Sequence, residues 1–354
     1  TGLGVQVYPA AMNTVAAALL AWFEPEARPM PWRRDVSPYR TWISEIMLQQ
    51  TRVETVIPYF ERFVARFPSP EDLAGADVDE VLRFWSGLGY YSRARSLHRA
   101  AQVVVERGGI PGTAAQLREL PGIGAYTAGA IASIACGQDE VAVDGNVERV
   151  MSRLHCRGGS RRDVEKQVQA YLPKGEASLF NQALMDLGAT ICIPGRPRCD
   201  ACPLQSHCLA HRTGRTSEFP ASRKRVAAKP RSSVWGAWYR DDSLLFVRRP
   251  DAGLLGGTYA LPGGDLAGQE PLAALTRAFE QRLGVELLGA EELGVVTHVF
   301  THIRLSLHLL CVEARGEPCS SHYPDLCWAP VDGAGLALST LTRKALTLAG
   351  SERT

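Results

Sequence analysis

The chain has 354 residues, 45% of them apolar and 21% charged, with a formal net charge of +2. These fractions describe a globular protein of two or three domains and exclude a disordered or fibrous chain. No apolar run approaches membrane-spanning length and no signal-like segment opens the chain, so a cytoplasmic location is expected.

Met12 is a candidate natural start, the residues before it then being left from an upstream frame. Up to Ser232 the chain carries 29 Lys and Arg against 23 Asp and Glu; the remainder has 10 against 14. The basic part suits a phosphate-rich partner. Its texture is helical nearly throughout: "MNTVAAALLAWFE", "TWISEIMLQQTRVETVIPYFERFVARF", "VDEVLRFWSGLG", "ARSLHRAAQVVVERGG", "VEKQVQAYL" and "SLFNQALMDLGATIC". The stretch Thr213 to Ser233 is polar and basic, has two prolines and no apolar period, and reads as a linker. Strand-like runs follow, "SSVWGAWYRDDSLLFVRR" and "VVTHVFTHIRLSLHLLCVEA", with one helical run, "PLAALTRAFEQRLG". The fold class is therefore α+β.

Within the helical part, "LPGIGAYTAG" (Leu120 to Gly129) reads as a tight turn feeding a helix. Pro121 sets φ, while Gly122 and Gly124 permit positive φ and a close approach. Such a turn aims backbone N–H groups at an anion beside a helix N-terminus. A plain helix–turn–helix connection carries the same signature. Further on, "CIPGRPRCDACPLQSHC" spaces Cys192, Cys199, Cys202 and Cys208 as C-x6-C-x2-C-x5-C. Thiolates so close in sequence repel one another unless a metal centre compensates. Ligation by four cysteines fits a [4Fe–4S] cluster or a zinc ion, and the spacing leaves both open. Cys136, Cys156, Cys311, Cys319 and Cys327 are scattered and read as small buried hydrophobes.

The PGIG hairpin, "VDGNVERV" (Val143 to Val150) and this cysteine spacing together resemble the helix-hairpin-helix DNA glycosylases with an iron–sulfur loop. "SEIMLQQTRVETV" and "GLGYYSRARSLHRAA" narrow the resemblance to the MutY-type adenine DNA glycosylases. It is strong to about Leu209 and weak beyond the linker. It implies a [4Fe–4S] cluster on the four cysteines and a monomeric, nucleoid-associated enzyme. The implied partner is double-stranded DNA with adenine opposite 8-oxoguanine or guanine. The implied layout is a helical glycosylase domain over 12–212, a basic linker over 213–233 and a Nudix-like lesion-recognition domain over 234–354. In the first, a six-helix module spans about 33–142, with the hairpin at 120–131. The cluster module combines the N-terminal helix with about 143–212.

Hydrolysing an adenine N-glycosidic bond requires one carboxylic acid that stays protonated near neutral pH and one that stays ionised. Glu45 sits among Trp42, Ile43, Ile46, Met47 and Leu48, neighbours that should raise its pKa. Asp144, before Gly145 and Asn146, has the form of an N-cap, whose hydrogen bonds should hold it ionised. The resemblance makes Glu45 the acid that protonates adenine and Asp144 the catalytic aspartate, with Asn146 supporting it. Endonuclease III relatives carry a Schiff-base lysine where Tyr126 aligns, so the resemblance implies a monofunctional enzyme using water. The Tyr126 hydroxyl is expected on Asp144 or an adjacent phosphate.

The resemblance also places Gln50, Leu88 and Tyr90 as wedge and intercalating residues, which an enzyme that extrudes a base requires. Arg28, Trp32 and Gln182 match positions lining the adenine pocket, and Gly122 and Gly124 match the hairpin that holds a backbone phosphate. In "HVFTHIRL", Phe300, Thr301 and His302 resemble a lesion-reading loop in which Phe-Ser-His is usual. "LPGGDLAGQEPLAALTRAFEQRLGVEL" resembles a Nudix box, but Ala278, Gln281 and Arg282 stand where a working box is acidic. A Nudix hydrolase is thereby excluded. An endonuclease III-like lyase and a non-catalytic DNA-binding protein are the remaining alternatives; Tyr126 argues against the first and the Glu45/Asp144 pair against the second.

Overall fold

The computed structural model describes residues 14–221 and 227–351. Met12 and the residues before it, with part of the linker, lie outside the described residues. The described residues group into two units, one within Thr1–Ala74 and Arg99–Lys224, the other within Gly75–His98 and Arg225–Thr354.

The first unit is helical: α1 (Thr14–Glu26), α2 (Pro31–Arg34), α3 (Pro38–Leu48), α4 (Val53–Arg66), α5 (Pro70–Gly75), and, past a segment belonging to the second unit, α8 (Ala114–Leu117), α9 (Ala125–Cys136), α10 (Gly145–Leu154), α11 (Arg161–Tyr171), α12 (Ala177–Thr190) and α13 (Leu209–Arg212). Two helices, α6 (Val78–Trp85) and α7 (Ser92–Glu106), lie in or run out of that intervening segment. Apolar residues of α1, α10, α11 and α12 form one core, including Leu19, Phe23, Val147, Met151, Val168, Phe180 and Leu187. Cys192, Cys202 and Cys208 pack against it.

Two details differ from the apolar pattern. The run from Thr41 to Phe67 is two helices, broken between Leu48 and Val53, where Gln50 adopts φ 58°. In the hairpin only Gly122 has positive φ, 79°. Gly124 is the extended N-cap of α9, with no atom within 4 Å of where a Cβ would stand. Its value there is access.

The second unit is built on a mixed sheet, β1 (Lys229–Arg240), β2 (Ser243–Arg248), β3 (Tyr259–Ala260), β4 (Gly263–Asp265), β5 (Glu286–Val299), β6 (Ile303–Arg315) and β7 (Asp325–Pro330), with α14 (Pro271–Leu283) and α15 (Thr340–Ser351). The order is β3-β2-β1-β6-β5, with β4 on β1 and β7 on β2; β1 and β6 run parallel, Lys229 opposite Ile303 through Trp238 opposite Val312. Inward residues alternate along each strand and fill two cores. One holds Leu307, Leu309, Phe246 and Leu341 beside α15; the other holds Val234, Trp238 and Phe279 beside α14. β1 takes up Lys229–Ser233, the end of the stretch read as linker. Helix α15, "TLTRKALTLAGS", has no counterpart in the sequence reading, because threonines blur its apolar stripe.

Candidate active site

Helices α3, α9, α10 and α12 of the first unit surround a cavity of about 990 Å³. Glu45, Tyr126, Asp144, Asn146, Arg28, Trp32, Gln50 and Gln182 all line it. Residues far apart in the chain thus meet in one place.

Glu45 faces inward from α3, which packs against α4 and α9, and is only 5% exposed. Burial pushes its carboxyl up to about 7; Asp144 adds to the rise, while Tyr126 and Arg33 oppose it. Its Oε2 is buried with no hydrogen-bond partner. Asp144 caps α10: Val147 N donates to Oδ1 at 2.7 Å and Asn146 Nδ2 to Oδ2 at 2.8 Å. The expectation that these bonds hold Asp144 below its usual range is not met. Burial outweighs the donors and raises its pKa. The two carboxyls still differ in kind, because Asp144 has donors for an anion and Glu45 Oε2 has none. A single proton shared between them belongs on Glu45.

The Tyr126 hydroxyl turns to Glu45 rather than to Asp144, and lies 3.9 Å from Met185 Sδ. Burial keeps its pKa well above the ordinary value. Trp32 is 8% exposed and stacks edge-on against Phe60 at 5.3 Å. Gln182 Nε2 donates back to Ser178 O at 3.2 Å. Arg28 Nε donates to Asp186 Oδ1 at 3.0 Å, and Arg33 Nη1 to Asp186 Oδ2 at 2.8 Å. Burial alone would raise Asp186, but hydrogen bonds from Arg33 and Arg28 hold it low. Arg28 is therefore partly committed to a buried ion pair.

The loop bearing Asp144 is clamped by residues that sequence reasoning missed. Asn181, fully buried on α12, accepts from Ala142 N at 3.1 Å and donates to Ser133 Oγ at 2.9 Å and Glu140 O at 2.8 Å. A Cβ on Gly129 would clash with the Val141 carbonyl, and one on Gly188 would stand 2.6 Å from Asn146 Cβ. Arg149 Nη2 donates to Asn146 Oδ1 at 2.8 Å and Gly188 O at 2.7 Å, and its Nε to Cys192 O at 2.7 Å. The available signal was Asn181, a lone amide on the apolar face of "SLFNQALMDLG".

Cys192, Cys199, Cys202 and Cys208 line one small cavity of about 30 Å³ with Arg153, whose Nη1 donates to Cys192 Sγ at 3.3 Å. Burial raises the thiol pKa values of Cys202 and Cys208, and backbone N–H groups of Leu204, Ala210 and His211 oppose the rise without cancelling it. Among the described residues no three His, Cys, Asp or Glu side chains are arranged as a single-ion metal site.

In the second unit, Tyr90 is 45% exposed at φ 49° and its neighbour Tyr91 is core, 4% exposed. Leu88, expected to wedge into DNA, is instead buried at 6%: the turn with positive φ at Gly87 and Gly89 faces it inward. Phe300 to His302 are the tip of the β5–β6 hairpin, closed by Phe300 N donating to Ile303 O at 2.7 Å. The Tyr90 and Thr301 hydroxyls are hydrogen-bonded at 2.7 Å.

The HhH-GPD superfamily base excision DNA repair protein family matches residues 43–174, and the NUDIX domain family matches 233–348. An adenine DNA glycosylase of Rattus norvegicus is 36% identical across 88% of this chain and 72% of its own length. The chain belongs to the adenine DNA glycosylase family. Among solved structures, a thermostable thymine-DNA glycosylase has 29% identity and TM-score 0.53, covering 56% of this chain and 95% of that one. A non-covalent endonuclease III–DNA complex has 26% identity and TM-score 0.51, covering 56% and 94%. The glycosylase family match at 43–174 contains both Glu45 and Asp144. No helix among the described residues is long and apolar enough to cross a membrane.

The raised Glu45 pKa has a consequence for folding. A carboxyl at 4.5 when unfolded and about 7 when folded binds its proton more tightly in the fold. The ionisation penalty of its burial is absent below pH 4.5 and grows to about 3 kcal/mol above pH 7. Glu45→Gln should therefore gain stability relative to the parent as pH rises from 4.5 to 8, measured by urea unfolding. Parallel pH profiles of the two proteins would contradict this.

Proposed function

We propose that this enzyme extrudes adenine mispaired with 8-oxoguanine or guanine and hydrolyses its N-glycosidic bond without strand cleavage. One observation carries the reading: two carboxyls in one cavity, Glu45 buried with its Oε2 unpartnered and pushed up to about 7, Asp144 held by donors at a helix start. Adenine enters between Trp32 and the α12 side chains. Glu45 gives its proton to the departing base, Asp144 offsets the positive charge growing on the sugar, and water completes the substitution. Tyr126 orients the Glu45 carboxyl. Having no amine, it forms no Schiff base. Gly122 and Gly124 leave the hairpin amides open to a DNA phosphate; Gln50, exposed at positive φ in the first unit, takes the wedge role, and Tyr90, exposed at positive φ in the second, takes the intercalating role.

The four cysteines fit a [4Fe–4S] cluster: they line one cavity, which His211 also borders, and Arg153 and backbone amides donate toward their sulfurs. When bound, the cluster braces the 192–208 loop, and Arg149 carries that loop's position to Asn146. Lesion reading is assigned to the β5–β6 tip. The Tyr90–Thr301 bond joins it to the intercalating residue, so the threonine keeps the hydroxyl function.

Single-turnover assays on adenine opposite 8-oxoguanine test the chemistry. Glu45→Gln and Asp144→Asn should each lose excision by several orders of magnitude while keeping duplex affinity, since phosphate contacts supply most of it. Strand breaks should appear only after hot alkali, and the parent's rate should fall as pH rises past about 7, where Glu45 loses its proton. Near-parental excision by Glu45→Gln would remove the acid assignment.

The purified protein should be brown, with broad visible absorption. Cys199→Ser should bleach it and lower duplex affinity. A colourless, fully active zinc protein would refute the cluster.

Phe300→Ala with His302→Ala should narrow the preference for adenine opposite 8-oxoguanine over adenine opposite guanine by about tenfold, the worth of one lost base contact. An unchanged rate ratio would put lesion reading elsewhere.

A further inference from the structure

The second unit has a cavity of its own, about 320 Å³, that excision does not use. Its walls bring together Arg231 from β1, Arg249 from the loop after β2, Asp265 at the end of β4, Arg282 from the last turn of α14, and His322 and Tyr323 ahead of β7. Three guanidinium groups thus share a partly enclosed space with a single carboxylate. That carboxylate is already engaged. Arg231 donates to Asp265 Oδ2 and Ser233 Oγ donates to its Oδ1 at 2.9 Å.

The other two arginines are tied only to carbonyls. Arg282 Nη1 donates to Gly263 O at 2.7 Å, and its guanidinium lies against Gly264, where a Cβ would be 3.3 Å from both terminal nitrogens. Arg249 Nε donates to Leu254 O at 3.1 Å, and its terminal nitrogens make no hydrogen bond among the described residues. Burial disfavours the Arg249 charge; Tyr323 and Asp265 offset this in part, while Arg282 and Arg231 repel it. One carboxylate, Asp265, faces three guanidinium groups, so a bound anion would offset the remaining repulsion. Position 282 is also one where a working Nudix box has an acid for its metal. The substitution inverts the site, from one that gathers a cation to one that attracts the phosphate itself.

We propose that this cavity binds the phosphate of a nucleotide directly, with no divalent metal between. Arginine forks match phosphate oxygens geometrically as well as by charge. Trp235, Leu254 and Leu305 give the cavity apolar walls, and its volume suits a phosphate with its sugar. The phosphate comes from a free nucleotide or from a DNA strand, and the inference does not rest on the excision reading.

Full-length protein is titrated with pyrophosphate and with dGMP in buffer containing a chelator, and separately with undamaged duplex over a salt series. Arg249→Gln and Arg282→Gln are compared with the parent, with melting temperature as the check on folding. A free-nucleotide site gives saturable binding of either probe, weakened about tenfold or more in each variant, with excision unchanged. A DNA-phosphate site gives reduced duplex affinity with a salt slope shallower by about one. Folded variants that change neither measurement overturn the proposal. If Arg249→Gln does not fold, the half-buried Arg282→Gln decides it alone.

Discussion

The arrangement proposed for catalysis depends on how the short segment from Val141 to Asn146 is held between α9 and α12. It carries Asp144 at the start of α10, and it has no regular structure of its own before that point. Two glycines let the helices close on it, Gly129 beneath the Val141 carbonyl and Gly188 against Asn146. Asn181 supplies the hydrogen bonds that a strand partner would otherwise give. Buried backbone without such partners would cost stability, so one amide side chain on α12 makes the segment possible. Arg149 then ties the same segment to the Cys192 carbonyl, so the cysteine loop and the carboxyl site share a mechanical link.

Given that seat, the unlike behaviour of the carboxyls follows from donors rather than from residue type. Both are buried and both are raised by it. Asp144 sits where α10 begins and receives two hydrogen bonds; Glu45 sits mid-helix, where the backbone offers none, and one oxygen is left bare. Each also makes ionisation of the other harder, which suits a site that carries one proton between two acids. Asp186, also buried, goes the other way because two arginines reach it.

In the second unit the sheet scaffold holds a cavity lined by three arginines and one carboxylate. Arg282 lies over Gly264 and bonds the Gly263 carbonyl, so the α14 end and β4 remain locked as a packing unit. The tip of the β5–β6 hairpin is free to present Thr301 and His302, and the Tyr90 hydroxyl meets it there. Segment Gly75–His98 belongs with this unit through further contacts: Tyr91 OH to Leu338 O at 3.1 Å and Arg248 Nε to Asp79 Oδ1 at 3.0 Å.

By itself the sequence determined the features that are local. Period and composition gave the helical part and the strand-rich part, the Asp-Gly-Asn signature marked the α10 cap, the four-cysteine spacing marked a loop around a centre, and apolar neighbours marked Glu45 for a raised pKa. Each depends on residues a few positions apart, within reach of helix geometry or a turn. The tertiary structure decided what depends on distant chain segments. It turned Tyr126 toward Glu45, raised Asp144 despite its cap, buried Leu88 while exposing Tyr90, and paired Arg28 with Asp186. It also drew residues 75–98 into the second unit and gathered three arginines in one cavity. Burial and ionic partners come from opposite ends of a chain, and no spacing along the sequence encodes which side chains will share a dry space.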